Sequence, residues 1–426
     1  MTASRVILAA VYEGGAQPIN IGTAASHLIE AGFEPICVDT FVDGIPDDDA
    51  IAGTDLLAIS MPLFQSIAPG VGLATRARCI NPSITVVMFG QHANIHAERL
   101  LGGYCDFVIR GDWEPGLVAL ARDPTKFDDY ARVGVCSPAR VVKPYIHRGN
   151  LLPPARHLLP ALSRYRYAEL ETMWQSCRPI PVVGNVETAR GCHHACTYCS
   201  VFAATGRKVS LIPADAVMAD IRQVVALGAE HIWFTDAEFL NSKHHGLSIV
   251  ERMKREFPFL TFDITTRTDH ILEAKDVVAE LQALGCQFIT TALEFSSQRV
   301  LDAIDKEMSL EQIERAVAYC QSIGLRLNPT FIMFNPWADL DDMIQLREWI
   351  ERVGLATTIS PLQSETRLYL YKGSPLLAHP DICKLELVER EFDYEWKHPD
   401  ARVDKLFAEY SKPTEVGSFQ RCCIKC

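Results

Sequence analysis

Short apolar runs of strand length alternate along the sequence with longer segments whose apolar residues recur at helical spacing. Strict alternation of this kind predicts parallel sheets covered by helices, because each parallel connection needs a crossover that is usually helical. At 426 residues the chain is longer than one typical domain. We therefore predict an α/β protein with two domains and a tail.

The first series of runs reads "RVILAA", "PICVDT", "TDLLAISMP", "ITVVMFGQH" and "FVIR". We predict that residues 1–125 form a Rossmann-like, doubly wound domain on these strands. Residues 126–180 are rich in proline, arginine and tyrosine and are interpreted as a linker.

A second series begins at residue 181, with strand candidates "PVVGNVETA", "HIWFTDAEF", "TFDITTRTD", "QFITTALEF", "LRLNPTFIMF" and "TTISPLQSE". Six strands alternating with helices predict a partial (β/α)6 barrel over residues 181–380, with its active site at the carboxyl ends of the strands. Residues 381–426 are expected to form a C-terminal extension.

Charge and hydropathy exclude some classes of function. The formal net charge of −12 disfavours a non-specific nucleic-acid binder. The sequence has no apolar run of about 18 residues that would indicate a transmembrane helix. The start "MTASRVILAAVYEGG" fits a first strand better than a secretion signal. We expect a cytoplasmic protein with no nucleic-acid or membrane partner.

Six of the 14 cysteines lie in two short motifs. The first, "GCHHACTYCS", places Cys192, Cys196 and Cys199 in a C-x3-C-x2-C pattern after the first strand of the second series. Zinc sites usually have four protein ligands. Three thiolates on a 4Fe–4S cluster leave one iron free for another ligand.

This spacing, with Tyr198 before the last cysteine, resembles the radical SAM superfamily over about residues 181–380. The resemblance implies a 4Fe–4S cluster on the three cysteines and S-adenosylmethionine (SAM) chelated to the open iron. It also implies an external electron donor of the flavodoxin or ferredoxin type.

Further SAM-binding positions are implied by the same resemblance. Besides Tyr198 they lie in "TDAEF", "RTD", "ALEFSSQRVLDAIDK" and "FIMFNPWAD" at or just beyond strand ends. Arg267 is a candidate partner of the SAM carboxylate because a guanidinium fork matches its shape. The remaining candidates are Asp236, Ala237, Glu238, Glu294, Ser296 and Asn335.

The N-terminal domain resembles the cobalamin-binding-like domain that precedes many radical SAM domains. "AISMPLFQS", "VVMFGQHAN" and "DFVIRGDWEP" carry this resemblance. The usual cobalt-ligating pattern Asp-x-His-x-x-Gly is absent after the first strand, where "VYEGGAQ" stands. His27 and His92 are the nearby histidines. We therefore predict that the protein does not depend on cobalamin.

The second cysteine motif is the terminal "RCCIKC", with Cys422, Cys423 and Cys426. Four interpretations are open: a disordered tail, a redox disulfide, a second iron–sulfur cluster, or a site for a soft substrate atom such as trivalent arsenic, which takes three sulfurs. Arg421 and Lys425 favour the thiolate form of the neighbouring cysteines.

A radical SAM barrel with this tail resembles the radical SAM family of arsinothricin biosynthesis. The resemblance implies transfer of the 3-amino-3-carboxypropyl group of SAM to arsenite, giving hydroxyarsinothricin. The alternatives are a cobalamin-dependent radical SAM methyltransferase or another radical SAM enzyme and, in a different class, a thiol-based metalloid or redox sensor.

Overall fold

The computed structural model describes residues 4–147, 149, 151–174, 179–360, 363 and 365–411. They form two compact units. Unit 1 comprises the described part of 1–166 together with 182–186 and 210–229, and unit 2 comprises the other described residues. None of the helices in these ranges is both long and apolar enough to cross a bilayer.

A six-stranded sheet forms the centre of unit 1, in the order β2-β1-β3-β4-β5-β6. The first five strands are parallel, and β6 is antiparallel to β5. Every residue of β1 and β3 is buried, as expected for parallel strands covered on both faces. The strands are β1 Val6–Ala10, β2 Ile36–Asp39, β3 Leu56–Ser60, β4 Thr85–Phe89, β5 Phe107–Ile109 and β6 Val135–Cys136.

Helices connect these strands at the positions that the sequence pattern indicates. The first helix is followed by Gly32, whose φ of 88° is the left-handed conformation that commonly ends a helix. The helices of unit 1 are α1 Ile19–Glu30, α2 Asp48–Ala52, α3 Ile67–Ile80, α4 Gln91–Ile95, α5 Ala97–Leu101, α6 Glu114–Arg122 and α9 Ala214–Ala226. The short strand β7, Val183–Val186, belongs to the same unit.

The prediction of a doubly wound N-terminal sheet is confirmed for β1–β5. The antiparallel edge strand β6 comes from the segment interpreted as a linker, where a two-residue strand carries too little pattern to be recognised. The domain boundaries at residues 125, 180 and 380 stay predictions.

A buried arginine joins four stretches of unit 1. Arg156 is 1% exposed and donates from Nε and Nη2 to the two carboxylate oxygens of Asp220, each at 2.7 Å. Its Nη1 donates to Oε1 of Gln17 at 2.6 Å, and Nη2 also donates to the carbonyl oxygen of Asn185 at 2.5 Å. A charge buried this deeply is tolerated because its donors are matched by acceptors.

Unit 2 contains four parallel strands in the order β13-β12-β11-β10, so their carboxyl ends share one edge. A register shift interrupts the pairing of β12 between Ala292 and Glu294. The strands of this part of the chain are β8 Ala189–Gly191, β9 Val209–Leu211, β10 His231–Phe234, β11 Thr261–Thr265, β12 Cys286–Glu294, β13 Arg326–Phe331, β14 Leu370–Tyr371, β15 Leu387–Glu389 and β16 Asp393–Trp396.

Two helices of unit 2 begin with capping boxes, in which Ser309 and Asp339 satisfy the first backbone N–H groups. The helices are α7 Ala168–Met173, α8 Ser200–Thr205, α10 Lys243–Glu256, α11 Thr268–Glu273, α12 Lys275–Ala283, α13 Gln298–Ala303, α14 Leu310–Ser322, α15 Leu340–Arg352 and α16 Ala401–Tyr410.

The last strand candidate, residues 357–365, differs from the prediction in its described part. Residues 356–358 form turns. The next parallel pairing is a single bridge between Phe334 and Arg367. Apolar and β-branched residues in "TTIS" favour a strand locally, but no ladder forms there among the described residues.

Candidate active site

The loop between β8 and α8 carries the three cysteines of the first motif. Cys196 is buried, while Cys192 and Cys199 are partly exposed. The backbone N–H of Cys199 donates to the carbonyl oxygen of Cys196 at 3.0 Å, which closes a turn between them. The loop therefore carries one buried and two partly exposed thiols.

Burial raises the pKa of Cys192 to about 12. Burial also raises the pKa of Cys199, and the N–H groups of Phe202 and Val201 at the start of α8 oppose this rise. Both thiols are thus protonated when no metal is bound. Since iron takes the thiolate, cluster binding at this loop has to release protons.

Arg267, which follows β11, connects this loop to two other segments. Its Nη1 donates to Sγ of Cys196 at 3.3 Å. Its Nε and Nη2 donate to the carboxylate of Asp269 at 2.7 to 3.1 Å, and Nη2 also donates to the carbonyl oxygen of Lys306 at 3.0 Å. Burial opposes the charge, but Asp269 holds the pKa of Arg267 above its ordinary value.

The carboxylate of Glu238, after β10, is surrounded by donors. Oε2 accepts from the backbone N–H of Arg267 at 2.8 Å, and Oε1 accepts from the N–H of Leu240 at 3.1 Å and from the hydroxyl of Thr266. Nδ1 of His270 lies 3.0 Å from Oε1. Glu238 is 1% exposed, so its side chain fixes the ends of β10 and β11 together.

Two histidines extend this arrangement to the cysteine loop. Nε2 of His194, between Cys192 and Cys196, lies 3.0 Å from Nε2 of His270. Burial and the nearby Arg267 lower the pKa of His194 to about 4. Burial disfavours a charge on His270 as well, but Glu238 raises its pKa overall. A protonated His270 can therefore donate to Glu238 and to a neutral His194 at once.

A second buried network starts from the tyrosine of the cysteine motif. The hydroxyl of Tyr198 donates to Oε1 of Glu294, which also accepts from Nζ of Lys306 at 2.9 Å. Nζ of Lys306 lies 3.1 Å from the Tyr198 hydroxyl. Lys306 is 2% exposed, and Asp305 and Glu307 on either side have φ angles of 51° and 55°. These left-handed residues turn the lysine inward at some cost in backbone strain.

Sequence reasoning did not single out Lys306, although it ends the stretch "ALEFSSQRVLDAIDK" that was compared with the superfamily. The only local signal is a lysine between two acidic residues, which usually indicates a solvated turn. The lysine is turned inward by the positive φ angles of its two neighbours. Positive φ angles can be predicted from sequence mainly at glycine and asparagine, and neither residue type is present here.

The other candidate SAM positions have different surroundings. Asp236 is buried and accepts from the N–H groups of Thr188 at 2.7 Å and Ala189 at 3.0 Å, and burial raises its pKa to about 7. Oδ1 of Asn335 accepts from two backbone N–H groups of the following turn. Ala237 is exposed and Ser296 is half-buried. Contact of any of these residues with SAM stays a prediction.

The residues at this edge fit a 4Fe–4S cluster. Three thiols lie on one partly exposed loop, and a guanidinium N–H points at one of the sulfurs, as ligating sulfurs in such sites often require. Among the described residues, no three His, Cys, Asp or Glu side chains converge on a single-ion position. Cys422, Cys423, Cys426, Arg421 and Lys425 lie outside the described residues.

The strand order of unit 1 defines a second candidate site. The order β2-β1-β3-β4-β5 is doubly wound, and in such sheets ligands bind at the carboxyl ends of the strands where the order reverses, here between β1 and β3. Gly14 and Gly15 follow β1 with φ angles of 70° and 77°. Oγ of Ser60, at the end of β3, donates to Oε1 of Glu13 at 2.7 Å.

The two histidines considered earlier are also in unit 1. Nδ1 of His27 lies 2.9 Å from the carbonyl oxygen of Thr23, one turn earlier in α1. His92 is buried, and burial together with the neighbouring His96 lowers its pKa to about 3. Its ring packs edge-on against Phe64.

A protein-family model matches the part of the chain that contains the cysteine loop. Residues 186–350 match the Radical SAM superfamily, and they include the cysteine loop, Arg267 and Glu294. These residues form a radical SAM domain, as the cysteine motif predicts.

Two methyl-transferring proteins are similar to this chain at low sequence identity. The hopanoid C-3 methylase of Methylococcus capsulatus is 24% identical over 81% of this chain and 66% of its own length. The cytidylyl-2-hydroxyethylphosphonate methyltransferase of Streptomyces wedmorensis is 24% identical over 75% of this chain and 69% of the relative. The chain thus spans about two thirds of the length of these proteins.

Two solved structures share the fold. The cobalamin-dependent radical enzyme OxsB, with aqua-cobalamin bound, covers 96% of this chain and 66% of its own with a TM-score of 0.74 at 14% identity. The methyltransferase TsrM from Kitasatospora setae, with cobalamin and a 4Fe–4S cluster bound, covers 82% of this chain and 70% of its own with a TM-score of 0.64 at 16% identity.

These structures overturn the expectation that the protein does without cobalamin. It rested on one absent motif, whereas OxsB and TsrM share this fold and hold cobalamin. A missing histidine ligand does not remove the crevice at the carboxyl ends of the strands, where shape and backbone groups also bind ligands.

The first prediction concerns the cluster ligands. Replacing Cys196 by serine should lower the iron content of reconstituted protein from about four per chain to well below that figure, because a cube of this type needs its thiolates. SAM cleavage should be lost with the iron. Cys383→Ser, at an exposed cysteine, is the matched control and should keep both. A full cluster in Cys196→Ser would contradict the assignment.

The second prediction concerns Arg267. In Arg267→Gln the donor to the Cys196 sulfur and its positive charge are removed, so the reduction potential of the cluster should fall by on the order of 60 mV. Redox titration monitored by electron paramagnetic resonance measures it. Arg299→Gln, which removes a cation from an exposed pair with Asp342, is the control. An unchanged potential in Arg267→Gln would show that its contact with Cys196 has no electronic effect.

Proposed function

We propose that the protein is a radical SAM transferase of the cobalamin-dependent type, which transfers a methyl group derived from SAM to a substrate. The observation that carries this proposal is the combination, in one chain, of the C-x3-C-x2-C loop with a doubly wound domain, in a fold shared with the cobalamin-bound structures of OxsB and TsrM. Support also comes from the methylase and methyltransferase named above, which align over three quarters or more of this chain.

In this proposal Cys192, Cys196 and Cys199 hold the 4Fe–4S cluster, which supplies an electron for cleavage of a carbon–sulfur bond of SAM. Arg267 keeps the Cys196 sulfur hydrogen-bonded and stabilises its negative charge. Tyr198, Glu294 and Lys306 fix the loop against the end of β12. SAM is proposed to bind at the carboxyl ends of β10 and β12, near the exposed Ala237 and the half-buried Ser296.

Unit 1 is proposed to bind cobalamin at the carboxyl ends of β1 and β3. A bound cobalamin would supply a methyl carrier. Gly14 and Gly15 add no side chains to the turn after β1, so a flat macrocycle can approach the backbone at these two residues. Glu13 and Ser60 are hydrogen-bonded to each other at this edge and offer polar contacts.

A second candidate function is favoured by the terminal "RCCIKC". In this candidate Cys422, Cys423 and Cys426 bind arsenite as three thiolates, and the 3-amino-3-carboxypropyl group of SAM is transferred to arsenic to give hydroxyarsinothricin. Three thiols within five residues have no evident use in methyl transfer. Soft thiolates are suitable ligands for trivalent arsenic.

The two candidates leave different remnants of SAM, and this gives the third prediction. Radical methyl transfer uses two molecules of SAM: the methyl donor leaves S-adenosylhomocysteine, and the molecule cleaved by the cluster leaves methionine and 5'-deoxyadenosine. Transfer of the 3-amino-3-carboxypropyl group instead leaves 5'-methylthioadenosine. Reconstituted protein should be incubated anaerobically with SAM and dithionite, with and without hydroxocobalamin and arsenite, and the products read by mass spectrometry. We expect stoichiometric cobalamin retention and S-adenosylhomocysteine that depends on it.

Other outcomes of that experiment are equally decisive. A carbon–arsenic product with 5'-methylthioadenosine, formed only when arsenite is present, would replace the lead proposal by the second candidate. Thiol-dependent arsenite binding with no SAM cleavage under any condition would contradict both and favour a sensor. The Cys196→Ser protein is the blank for cluster-independent breakdown of SAM.

The fourth prediction concerns the tail. In Cys422→Ser/Cys423→Ser the iron content and SAM binding should be retained, because neither residue belongs to the cysteine motif that is proposed to hold the cluster. Arsenite affinity should fall at least tenfold, since one remaining tail thiolate is a poor chelate for arsenic. Titration with arsenite measures this, and Cys79→Ser/Cys383→Ser, at two exposed cysteines, is the matched control.

Equal arsenite affinity in the two double variants would exclude the tail as the arsenic site. Loss of about four iron atoms per chain in the tail variant would instead indicate a second cluster.

A further inference from the structure

Exposed basic side chains lie on two sides of the cysteine loop of unit 2. We call His193, Arg207, Lys208, Lys243 and His244 the basic rim; all five are exposed. Arg207, Lys208 and Lys243 form no ion pair with any residue that the structure describes. The chain as a whole carries a formal net charge of −12, so this rim has the opposite sign to the rest of the protein.

Backbone contacts hold the rim around the cysteines. Nε of Arg207 donates to the carbonyl oxygen of His193 at 2.8 Å. The φ of Arg207 is 67°, a backbone conformation that residues other than glycine rarely adopt. The turn of Arg207 and Lys208 is thereby attached to the residue after Cys192. A strained position kept by a specific contact often indicates a functional segment.

The other side of the rim is attached through Asn241. Its Nδ2 donates to the carbonyl oxygen of Gly191 at 3.1 Å, and its Oδ1 accepts from the N–H of His193 at 3.3 Å. Lys243 and His244, at the start of α10, therefore lie next to the cysteine loop. A recess of about 430 Å³ lies at this side of the loop. It is lined by His193, Asn241, Lys243, His244, His270 and Glu273.

Glu273 is the one acidic side chain that lines this recess among the described residues. The rim therefore keeps an excess of positive charge beside the partly exposed Cys192 and Cys199. A positive patch on an otherwise acidic protein attracts an acidic partner to one place and repels it elsewhere, so it sets the orientation of the encounter.

We propose that the basic rim is the docking surface for an acidic one-electron carrier protein of the flavodoxin class. This inference rests on the cluster assignment of the proposed function. The step moves one electron: the reduced carrier is oxidised by one electron, the cluster is reduced by one, and no bond is formed or broken. The rim lies on two sides of the loop that holds the cluster, so docking there brings the two redox groups close together.

The fifth prediction tests this surface with the full chain carrying its reconstituted cluster. Lys208→Glu/Lys243→Glu is compared with Arg315→Glu/Lys405→Glu, which makes the same change in net charge at exposed positions of α14 and α16 that are not part of the rim. The second-order rate of cluster reduction by a reduced flavodoxin should fall at least tenfold in the rim variant at low salt, as expected when steering is lost. The difference should shrink at high salt.

Photoreduced deazariboflavin is a small uncharged electron donor that needs no docking surface. Its rate of reduction distinguishes a loss of flavodoxin docking from damage to the cluster. It should be equally fast in both variants, because the cluster itself is unchanged. Equal flavodoxin rates in the two variants, or a rim variant that deazariboflavin also reduces slowly, would overturn the docking surface. A protein with no reducible cluster would overturn the proposed function as well.

Discussion

The guanidinium of Arg267 is the interaction on which the candidate site depends. It joins the end of β11 to the Cys196 sulfur, to Asp269 and to the carbonyl oxygen of Lys306. Lys306 in turn holds Glu294, which accepts the Tyr198 hydroxyl. One planar group with a fixed fork of donors thus links the cysteine loop directly to β11 and, through Lys306, to β12. A lysine could not replace it, because it lacks the parallel donors that bind Asp269.

The sequence predicts the position of the site better than the role of each residue in it. Spacing alone located Cys192, Cys196 and Cys199, because a cluster imposes local spacing on its ligands. The strand-end rule located Glu238, Arg267 and Glu294 at one edge of the sheet. Both signals are local, so both can be read without knowing which strands are neighbours.

Partners across the sheet could not be predicted in this way. The contacts of Arg267 with the Cys196 sulfur and with the carbonyl oxygen of Lys306 were not expected, and its pairing with the SAM carboxylate stays a prediction. Lys306 received no role, since its burial follows from two left-handed neighbours. The cobalamin expectation failed for a related reason: it treated one ligand motif as the whole site, although the order of β1 and β3 defines the crevice. Strand β6 could not be predicted from the sequence, because two residues are too few to show the alternation of a strand.

Unit 1 is not a single continuous stretch of chain. Gln17, Arg156, Asn185 and Asp220 come from four separate places in the chain. The polypeptide leaves this unit twice between Arg156 and Asp220. Recombination at any of the four unit boundaries between residues 166 and 210 would take Arg156 and Asp220 from different parents, and a parent that lacks either one would leave a buried charge without its counter-ion. We therefore expect the two units to evolve together. Exchange of one unit for that of a relative should be selected against.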